Sequence, residues 1–416
     1  MPSTRIPSLG PFILGVNDRR PDFDLRTKKD GNFLRGASNV DITSTGALRR
    51  REGYTKLISG SDCHSLTSDG TTSYLVDGQA LRKITGLDTS PVATTIKSDM
   101  AVGKRVSYCP VGSDLVFSNG VQIGRIDAAG AHDLGVPGLA IPPLVAGSSG
   151  GSLPAGAYQL CFTFANAQGE QSGSTAPVTA AVTAGSIAIS RLPATFPPEV
   201  TSLLVYMSPL NSDALLHVAT LNTPQTTWSV VTPPSYGGRC PTLMLSAMPA
   251  GTIVRERAGR LFTAKGPYLF YSEPFAHALT NPERNYVAFN DDITVIETTD
   301  IGMYVVADQA YWLPGDILDT TPVSVLPYGA TAGASGQKPD SNSVWWMSHR
   351  GLVTANSDGQ AVNLQEDNVV VAKARDGAGL FRETRGLKQI LASMFNVGLS
   401  GAAAHSFMDA EVVTPN

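Results

Sequence analysis

The 416-residue sequence is poor in charged residues. They make up 16% of the chain, whereas roughly 25% is typical of soluble proteins. The formal net charge is -4, so the chain lacks the concentrated Lys and Arg that phosphate contacts to a nucleic-acid duplex require. This composition excludes a strongly basic duplex-binding module of the ordinary kind, although DNA can still pass such a protein without being bound tightly.

Paired cysteines and long apolar runs are also missing. Cys63, Cys109, Cys161 and Cys240 are scattered without a CxxC pair, which disfavours a disulfide framework and a zinc site, and we expect reduced, small hydrophobic side chains. There is no run of about 18 apolar residues, and the N-terminus lacks the charged start and apolar core of a secretory signal. We therefore expect no membrane span, and synthesis and assembly in the cytosol of the producing cell.

Turn-forming and hydrophobic residues are abundant instead. The chain contains 41 Gly and 28 Pro, and 42% of its residues are hydrophobic. Amphipathic helical stretches are scarce, whereas short runs rich in Val, Thr and Ser recur between turn residues. An all-β fold is predicted.

Five segments share a strand-turn-strand pattern. They are Ser73 to Ile84, Asp114 to Asp127, Arg260 to Ser272, Met303 to Leu313 and Val344 to Ala355. The turns at Asp77-Gly78 and Asn119-Gly120 are strong hairpin signals. The spacing is 42 residues from Gly78 to Gly120, from Gly266 to Asp308 and from Asp308 to Arg350. A four-stranded propeller blade takes roughly 40 to 45 residues, so the period predicts a multi-bladed β-propeller.

The regular spacing is interrupted once. Gly120 and Gly266 are 146 residues apart, which is one period of 42 plus 104 further residues. This excess is about the size of one small domain. After a flexible stretch from Gly147 to Ser152, short strands and turns from Ala157 to Val231 predict an inserted fibronectin type III or immunoglobulin-like β-sandwich.

The two ends differ from the middle. Pro residues and mixed charges predict that residues 1–35 form an extended arm rather than a packed element. Apolar residues near helical spacing predict a helix over Gly379 to Phe395. The segment Gly398 to Asn416 is expected to be a loose or strand-donating tail. The predicted organisation is an arm at 1–35, propeller at 36–138, sandwich at 139–240, propeller at 241–375, and a C-terminal helix and tail at 376–416.

Three consecutive arginines, Arg49, Arg50 and Arg51, stand on the second strand of a predicted N-terminal hairpin. They can face DNA or an acidic partner subunit. Strand alternation, however, places Arg50 on the face opposite the other two, which leaves no dense basic patch. Salt bridges within the domain or between subunits are therefore favoured.

Two short stretches carry a family resemblance. The first holds Asn39, Asp41, Gly46, Leu48, Arg51, Gly53 and Tyr54; the second comprises Leu153-Pro154-Ala155-Gly156-Ala157-Tyr158 and Asn166-Ala167-Gln168-Gly169-Glu170 at the start of the insertion. In these motifs, and in its layout over residues 33 to 370, the chain resembles the tail nozzle proteins of short-tailed bacteriophages, also called tail tubular protein B. The chain is short for that family, which puts the peripheral fibre-docking insertions in question.

The resemblance implies a structural protein of the virion tail that is assembled in the host cytoplasm. In that family six copies form a ring below the portal and adaptor proteins, tail fibres or tip proteins lie beside or below it, and double-stranded DNA passes through. A wall with little positive charge fits this role, because a basic wall would hold the phosphate backbone. An acidic set of residues can line such a channel: Asp291, Asp292, Asp300, Asp308 and Asp316. Ordinary turn positions are the favoured interpretation of several of them.

No catalytic, cofactor or metal residues are predicted, and the chain is not expected to be an enzyme. Ser68-Asp69-Gly70 and Ser357-Asp358-Gly359 lack the spacing and the Trp of sialidase boxes and are interpreted as turns. The six histidines lie far apart without ligand spacing.

The alternative function is a carbohydrate- or receptor-binding propeller of a virion or cell surface. Its candidate sugar platforms in the insertion are Tyr158, Tyr206 and Trp228, for which core packing is favoured. Trp345 and Trp346 are expected on opposite faces of one strand, one in a blade interface and the other in a contact between subunits. A glycosidase built on the propeller is a third, weaker possibility.

Overall fold

A computed structural model gives an all-β fold. It describes residues 10–27, 31–37, 39–43, 45–51, 53, 55–183, 185–339, 342–369, 371, 374–384, 387–395 and 408–413. These residues form 34 strands and one single-turn 3-10 helix, Asp22–Asp24. The chain divides into two compact units: Met1–Ser61, Gly86–Ala93 and Phe289–Asn416 form one, and Asp62–Thr85 and Thr94–Ala288 form the other.

A short hairpin and two four-stranded sheets come first in the chain. The hairpin pairs β1 (Val40–Ile42) with β2 (Leu48–Arg50). The first sheet contains β3 (Cys63–Ser68), β4 (Ser73–Asp77), β5 (Ala80–Thr85) and β6 (Val92–Lys97). The second contains β7 (Ser107–Val111), β8 (Asp114–Ser118), β9 (Ile123–Ile126) and β10 (Ala131–Asp133). In both sheets neighbours in sequence are neighbours in space.

Seven strands then form two further sheets. The strands are β11 (Leu144–Leu153), β12 (Gly156–Asn166), β13 (Val178–Val182), β14 (Gly185–Ser190), β15 (Val200–Met207), β16 (Leu216–Leu221) and β17 (Thr227–Val230). One sheet has the order β11-β14-β17 and the other β13-β12-β15-β16. One cluster of buried side chains draws from both sheets; Phe162 and Val205 come from one, Ile187 and Val230 from the other. The two sheets therefore share a core.

The strand order of this inserted region is informative. Lettered in chain order, its sheets read A-D-G and C-B-E-F, whereas the immunoglobulin constant type has A-B-E-D and C-F-G. The fibronectin or immunoglobulin subclass expected from the sequence is thus not shown. The prediction of a flexible stretch from Gly147 to Ser152 is wrong, because these residues lie within β11. Added Cβ atoms at Gly147 and Gly151 would lie 2.2 and 2.3 Å from the carbonyl oxygens of Ala181 and Gly185, so glycine permits close backbone approach here.

Three more four-stranded arrays follow. A small pair, β18 (Ser246–Ala247) and β22 (Leu279–Thr280), flanks the array of β19 (Ile253–Arg257), β20 (Arg260–Lys265), β21 (Tyr268–Tyr271) and β23 (Tyr286–Ala288). The next array contains β24 (Val295–Thr298), β25 (Gly302–Val306), β26 (Ala310–Pro314) and β27 (Val323–Leu326). The last contains β28 (Ala330–Gln337), β29 (Val344–Ser348), β30 (Gly351–Ala355) and β31 (Ala361–Asn363), and three later strands extend it beyond β28 to a seven-stranded sheet.

The five predicted hairpins are confirmed. Gly78, Gly120, Gly266, Asp308 and Arg350 each lie between the second and third strands of a different four-stranded array. The 42-residue spacing therefore marks the same turn in successive arrays. Gly78, Gly120 and Gly266 have positive φ angles, which explains the choice of glycine at these three turns.

Strand β29 is buried on both faces. Its two tryptophans alternate as predicted: Trp346 packs with Tyr304 and Trp312 of the neighbouring array, and Trp345 packs with Ile390 and other residues on the opposite side. Trp345 is 1% exposed and Trp346 0%. The expectation that one of them contacts another subunit is therefore wrong, since residues of the same chain cover both rings.

The predicted helix over Gly379 to Phe395 is also wrong. This stretch forms β32 (Asp376–Thr384) and β33 (Leu387–Phe395), which pair as an antiparallel hairpin beside β28. Ile390, Ala392 and Met394 are buried at a spacing of two residues. Apolar residues at such positions fit a strand as well as a helix, and packing against Trp345 selects the strand. Of the predicted tail, residues 408–413 form β34 (Met408–Val413) against β33, and the other positions lie outside the described residues.

The N-terminal arm is more structured than expected. The side-chain amide of Asn17 is fully buried and donates a 2.9 Å hydrogen bond to Asn368 Oδ1. The Phe12 N–H donates to the carbonyl of Gly46 at 2.8 Å. Gly46 has a φ of +76°, and a Cβ there would lie 2.7 Å from atoms of the arm. The described part of the arm is therefore a packed element of its unit.

Candidate interface residues

Of the three adjacent arginines, Arg51 has a defined acidic partner. Its Nε lies 3.2 Å from Asp41 Oδ1, and both side chains are mostly buried. Asp41 Oδ2 also lies 3.4 Å from Nη2 of Arg382 on β32, whose Nε donates to Gln389 Oε1 at 2.8 Å. Arg51, Asp41, Arg382 and Gln389 thus link the N-terminal hairpin to the C-terminal hairpin, which agrees with the favoured salt-bridge interpretation. Arg49 and Arg50 are exposed residues of β2.

The five aspartates do not form one cluster. Asp291 and Asp292 precede β24 and Asp308 lies in the β25–β26 turn, at one end of that sheet. The Nδ2 of Asn290 donates to Asp308 Oδ2 at 3.3 Å, which brings the first group together. Asp300 and Asp316 lie at the opposite end, where the Gly315 N–H donates to the Ile301 carbonyl at 2.8 Å. The two ends of a strand as long as β25 are roughly 15 Å apart.

Hydrogen bonding at these positions is typical of turns. Asp316 Oδ1 accepts the Leu318 N–H at 3.0 Å. Asp308 Oδ1 accepts the Tyr311 hydroxyl at 2.9 Å. Although partial burial acts in the opposite direction, the hydrogen bonds from Tyr311 and Asn290 lower the pKa of Asp308. These contacts agree with the interpretation as turn residues, and a channel-lining role remains a prediction.

A charged network that sequence reasoning missed connects the second sheet with the insertion. His132 Nδ1 lies 2.6 Å from Glu199 Oε1, and His132 Nε2 lies 3.4 Å from Asp127 Oδ1. Arg125 Nη1 lies 3.8 Å from Glu170 Oε1. Arg125, Asp127 and His132 belong to β9, β10 and their turn, whereas Glu170 and Glu199 belong to the insertion. No sequence signal could reveal this network, because its members are up to 74 positions apart.

The motif Asn166 to Glu170 has a structural explanation. Asn166 Oδ1 accepts the N–H groups of Gln168 and Glu170, and Asn166 Nδ2 donates to Glu170 Oε2 at 2.7 Å. Gly169 adopts a φ of +82° within the same turn. The motif therefore builds a rigid turn that presents Glu170 to Arg125.

The aromatic residues of the insertion serve its packing. Tyr158 and Tyr206 are buried, with hydroxyls donating to the Pro154 carbonyl at 3.1 Å and to Gln171 Oε1 at 2.9 Å. Trp228 is half-buried against the shared core. The core interpretation is confirmed for these three, and none of them offers a free sugar platform.

An exposed set of rings lies elsewhere. Tyr268 and Phe270 on β21 and Tyr286 on β23 form what we term the outer aromatic cluster, with ring centroids 5.8 to 6.1 Å apart. Tyr268 is 43% exposed and Tyr286 42%. Phe275, in the segment that follows β21, is 84% exposed and has a φ of +56°, which is uncommon for a bulky residue. The period-two pattern of Tyr268 and Phe270 was visible in the sequence, but the cross-strand position of Tyr286 was not.

The two aspartates in the segments that were compared with sialidase boxes lie in turns. Asp69 Oδ1 accepts the N–H groups of Thr71 and Thr72 at 2.8 and 2.7 Å, and these bonds lower its pKa to about 2. Asp358 Oδ1 accepts the Gln360 N–H at 3.1 Å. Among the residues that the structure describes, no group of three or more His, Cys, Asp or Glu side chains is arranged to hold a metal ion. The same residues include no helix of sufficient length and apolarity to span a membrane.

No protein-family profile and no curated protein sequence matches the chain. Solved structures with distant likeness include the Pan2 WD40 domain of Neurospora crassa, 9% identical, covering 79% of this chain and 85% of that one, with a TM-score of 0.33. BBS1N in complex with ARL6DN is 12% identical, covering 87% and 96%, with a TM-score of 0.34. The WD40 β-propeller domain of Doa1 is 9% identical, covering 80% and 89%, with a TM-score of 0.29. TM-scores this low do not establish a function for this chain.

Proposed function

We propose that the chain is a structural component of a bacteriophage tail, a nozzle subunit that works by assembly and without catalysis. The observation that carries the proposal is the layout: five up-and-down arrays of four strands, the last extended by β32–β34, headed by the β1–β2 hairpin and interrupted once by the β11–β17 region. This is the layout that the resemblance to tail nozzle proteins predicts. Asp41 and Leu48 of the first motif lie in the N-terminal hairpin, and the second motif lies at the two ends of β12.

We infer that the five arrays are blades of one β-propeller. A meander of four antiparallel strands repeated at about 42 residues is typical of blades, because stacking such sheets buries both faces of each. Strands β25 and β29 are buried along their whole length, as this arrangement requires. The two-sheet insertion is inferred to be a β-sandwich, on the basis of its shared core.

The surface composition favours a homo-oligomer. Several apolar side chains are more than three-fifths exposed, including Phe275, Leu66, Val102 and Ile141. A chain with 16% charged residues also presents few charges that would have to be desolvated in a subunit interface. Six copies in a ring, placed below portal and adaptor proteins and beside tail fibres, are the assembly that we propose.

The proposed mechanism is mechanical. The rigid arrays would form the body of the ring, and a wall of little positive charge would let double-stranded DNA pass without binding its phosphates. Asp291, Asp292 and Asp308 are the proposed lining at one end of the β24–β27 sheet. Arg49 and Arg50, which are exposed, are the proposed contacts to an acidic neighbour.

Electron microscopy of the purified full-length chain, together with analytical ultracentrifugation, tests the proposal. Rings with six-fold symmetry and a central opening are expected. If the protein instead remains monomeric at all concentrations and fails to join portal and adaptor proteins, the nozzle function is wrong. A variant with Arg49 and Arg50 changed to Gln is expected to weaken ring or adaptor contacts while its circular dichroism spectrum stays unchanged.

A carbohydrate- or receptor-binding module is the second candidate function. The outer aromatic cluster favours it, because exposed rings can stack on the apolar faces of sugars. Binding to an array of bacterial surface glycans, lost in Tyr268→Ala and Tyr286→Ala and retained in Tyr158→Phe, would support this function. Six-fold rings that bind no glycan would support the nozzle instead.

A further inference from the structure

Two buried cysteines meet inside the insertion. Cys161 lies in the middle of β12 and is 0% exposed, and Cys240 lies beyond β17 and is 8% exposed. Both belong to a small core with Tyr206 and Leu215, separate from the shared core of the two sheets. Two cysteines that are 79 positions apart in the sequence therefore lie in the same buried cluster of four residues.

The backbone holds both residues in place. Cys161 pairs with Tyr206 in the β12–β15 ladder. The Cys240 N–H donates to the Leu215 carbonyl at 3.0 Å, which fixes the segment that leaves the insertion against the same sheet. Because neither residue lies at a chain end or on an exposed loop tip, their proximity is a property of the folded insertion.

The two thiols differ in acidity. The interaction with Cys161 lowers the pKa of Cys240, against the effect of burial and with help from the Thr242 backbone N–H. The interaction with Cys240, together with burial, raises the pKa of Cys161. Of the two, Cys240 therefore has the greater thiolate character, which a sulfur nucleophile needs.

We propose that Cys161 and Cys240 are an oxidisable pair that forms an internal disulfide when the folded protein meets a mild peroxide. The Cys240 thiolate attacks one oxygen of hydrogen peroxide, the O–O bond breaks, and Cys240 sulfenic acid and hydroxide form. The Cys161 sulfur then attacks the Cys240 sulfur, the S–O bond breaks, and the Cys161 proton leaves with the hydroxyl group as water. Two thiols are oxidised, and one peroxide is reduced to two waters in total.

The disulfide would tether the segment leaving the insertion to its β12 sheet. The other two cysteines serve as internal controls: Cys63 is exposed, and Cys109 is buried in a different cluster with Val116 and Val254. The inference is independent of the nozzle proposal, because it concerns chemistry within one chain.

Peptide mapping by mass spectrometry tests whether the two cysteines form a disulfide. The folded full-length chain is treated with a small excess of hydrogen peroxide, quenched, denatured and alkylated. We expect a linked peptide joining Cys161 and Cys240 with the loss of two hydrogens, while Cys109 stays alkylated. Alkylation of both Cys161 and Cys240, or a terminal sulfenic or sulfinic acid on Cys240, would overturn the proposal.

Two further measurements separate the pair from chance oxidation. In Cys161→Ala, Cys240 is expected to react with peroxide more slowly, because the interaction that lowers its pKa is lost, and no linked peptide can form. Cys63→Ser is expected to leave the linked peptide unchanged. The rate of linkage is expected to be greater at about pH 8 than at about pH 5.5, because the attacking thiolate is more populated. A disulfide between Cys161 and Cys240 that forms only in denatured protein, or at a rate independent of pH, would refute the proposal.

Discussion

Replacing Gly379 with Ala tests how the C-terminal hairpin packs. An added Cβ would lie 2.4 Å from Cη2 and 2.9 Å from Cζ3 of Trp345. The ring cannot easily retreat, because it is 1% exposed and a Cβ at Gly336 would already lie 3.0 Å from Trp345 Cζ2. The absence of a side chain at Gly336 and at Gly379 therefore leaves the space that the ring occupies.

The expected magnitude follows from two opposing effects. Overpacking a well-packed core costs about 1 to 3 kcal/mol. Replacing glycine in a regular strand relieves about 0.5 to 1 kcal/mol of backbone entropy. Gly379→Ala should therefore lower the free energy of unfolding by about 0.5 to 2 kcal/mol, the difference between these two effects.

Urea denaturation followed by circular dichroism and tryptophan fluorescence measures this change. Gly36→Ala is the matched control in the same unit, since a Cβ there meets nothing within 4 Å. In a helix the substitution of Gly379 would instead stabilise the protein by about 0.5 to 1 kcal/mol. A Gly379→Ala variant as stable as wild type, or more stable, would refute the packing described for β32 and Trp345.

Three other outcomes are expected. Nuclear magnetic resonance titration should show Asp69 with a pKa of about 2. Because this pKa lies below that of an aspartate in the unfolded chain, the stabilising contribution of Asp69 is present above about pH 3.9 and is lost as the pH falls toward 2. Asp69→Asn should remove this pH dependence. His132→Gln should lower the free energy of unfolding by about 0.2 to 1 kcal/mol, because its contacts with Glu199 and Asp127 are partly exposed; urea denaturation checks this. Trp346→Ala should cost about 3 to 5 kcal/mol, and Trp228→Ala, half-buried, should cost less in the same thermal melts.

Much of the fold was predictable because its signals are local. A hairpin turn at Gly78 or Gly120 depends on a few adjacent residues, and an exact 42-residue repeat shows that each turn has an equivalent in the next array. The insertion was visible as an interruption of that repeat. The helix over Gly379 to Phe395 was predicted wrongly because Ile390 and Met394 satisfy two periodicities, and only contact with Trp345 decides between them.

The candidate site was less predictable because its contacts are distant in sequence. The sequence does not indicate that Cys161 and Cys240 are close in space, because no short spacing joins them. It also does not indicate that Asp127 and Glu199 are the carboxylate partners of His132. The five aspartates looked like one cluster because sequence distance does not show which end of a strand each residue occupies.

The first and last strands of the insertion have a consequence for its exchange between proteins. Strands β11 and β17 both pair antiparallel with β14, so they run parallel to each other, and the chain enters β11 at one end of this sheet and leaves β17 toward the other. The segment after β17 stays bound to the insertion, because the Cys240 N–H donates to the Leu215 carbonyl at 3.0 Å and the Ser174 N–H donates to the Thr242 carbonyl at 3.1 Å. Replacing the insertion by another domain would therefore have to include this segment as well as the seven strands.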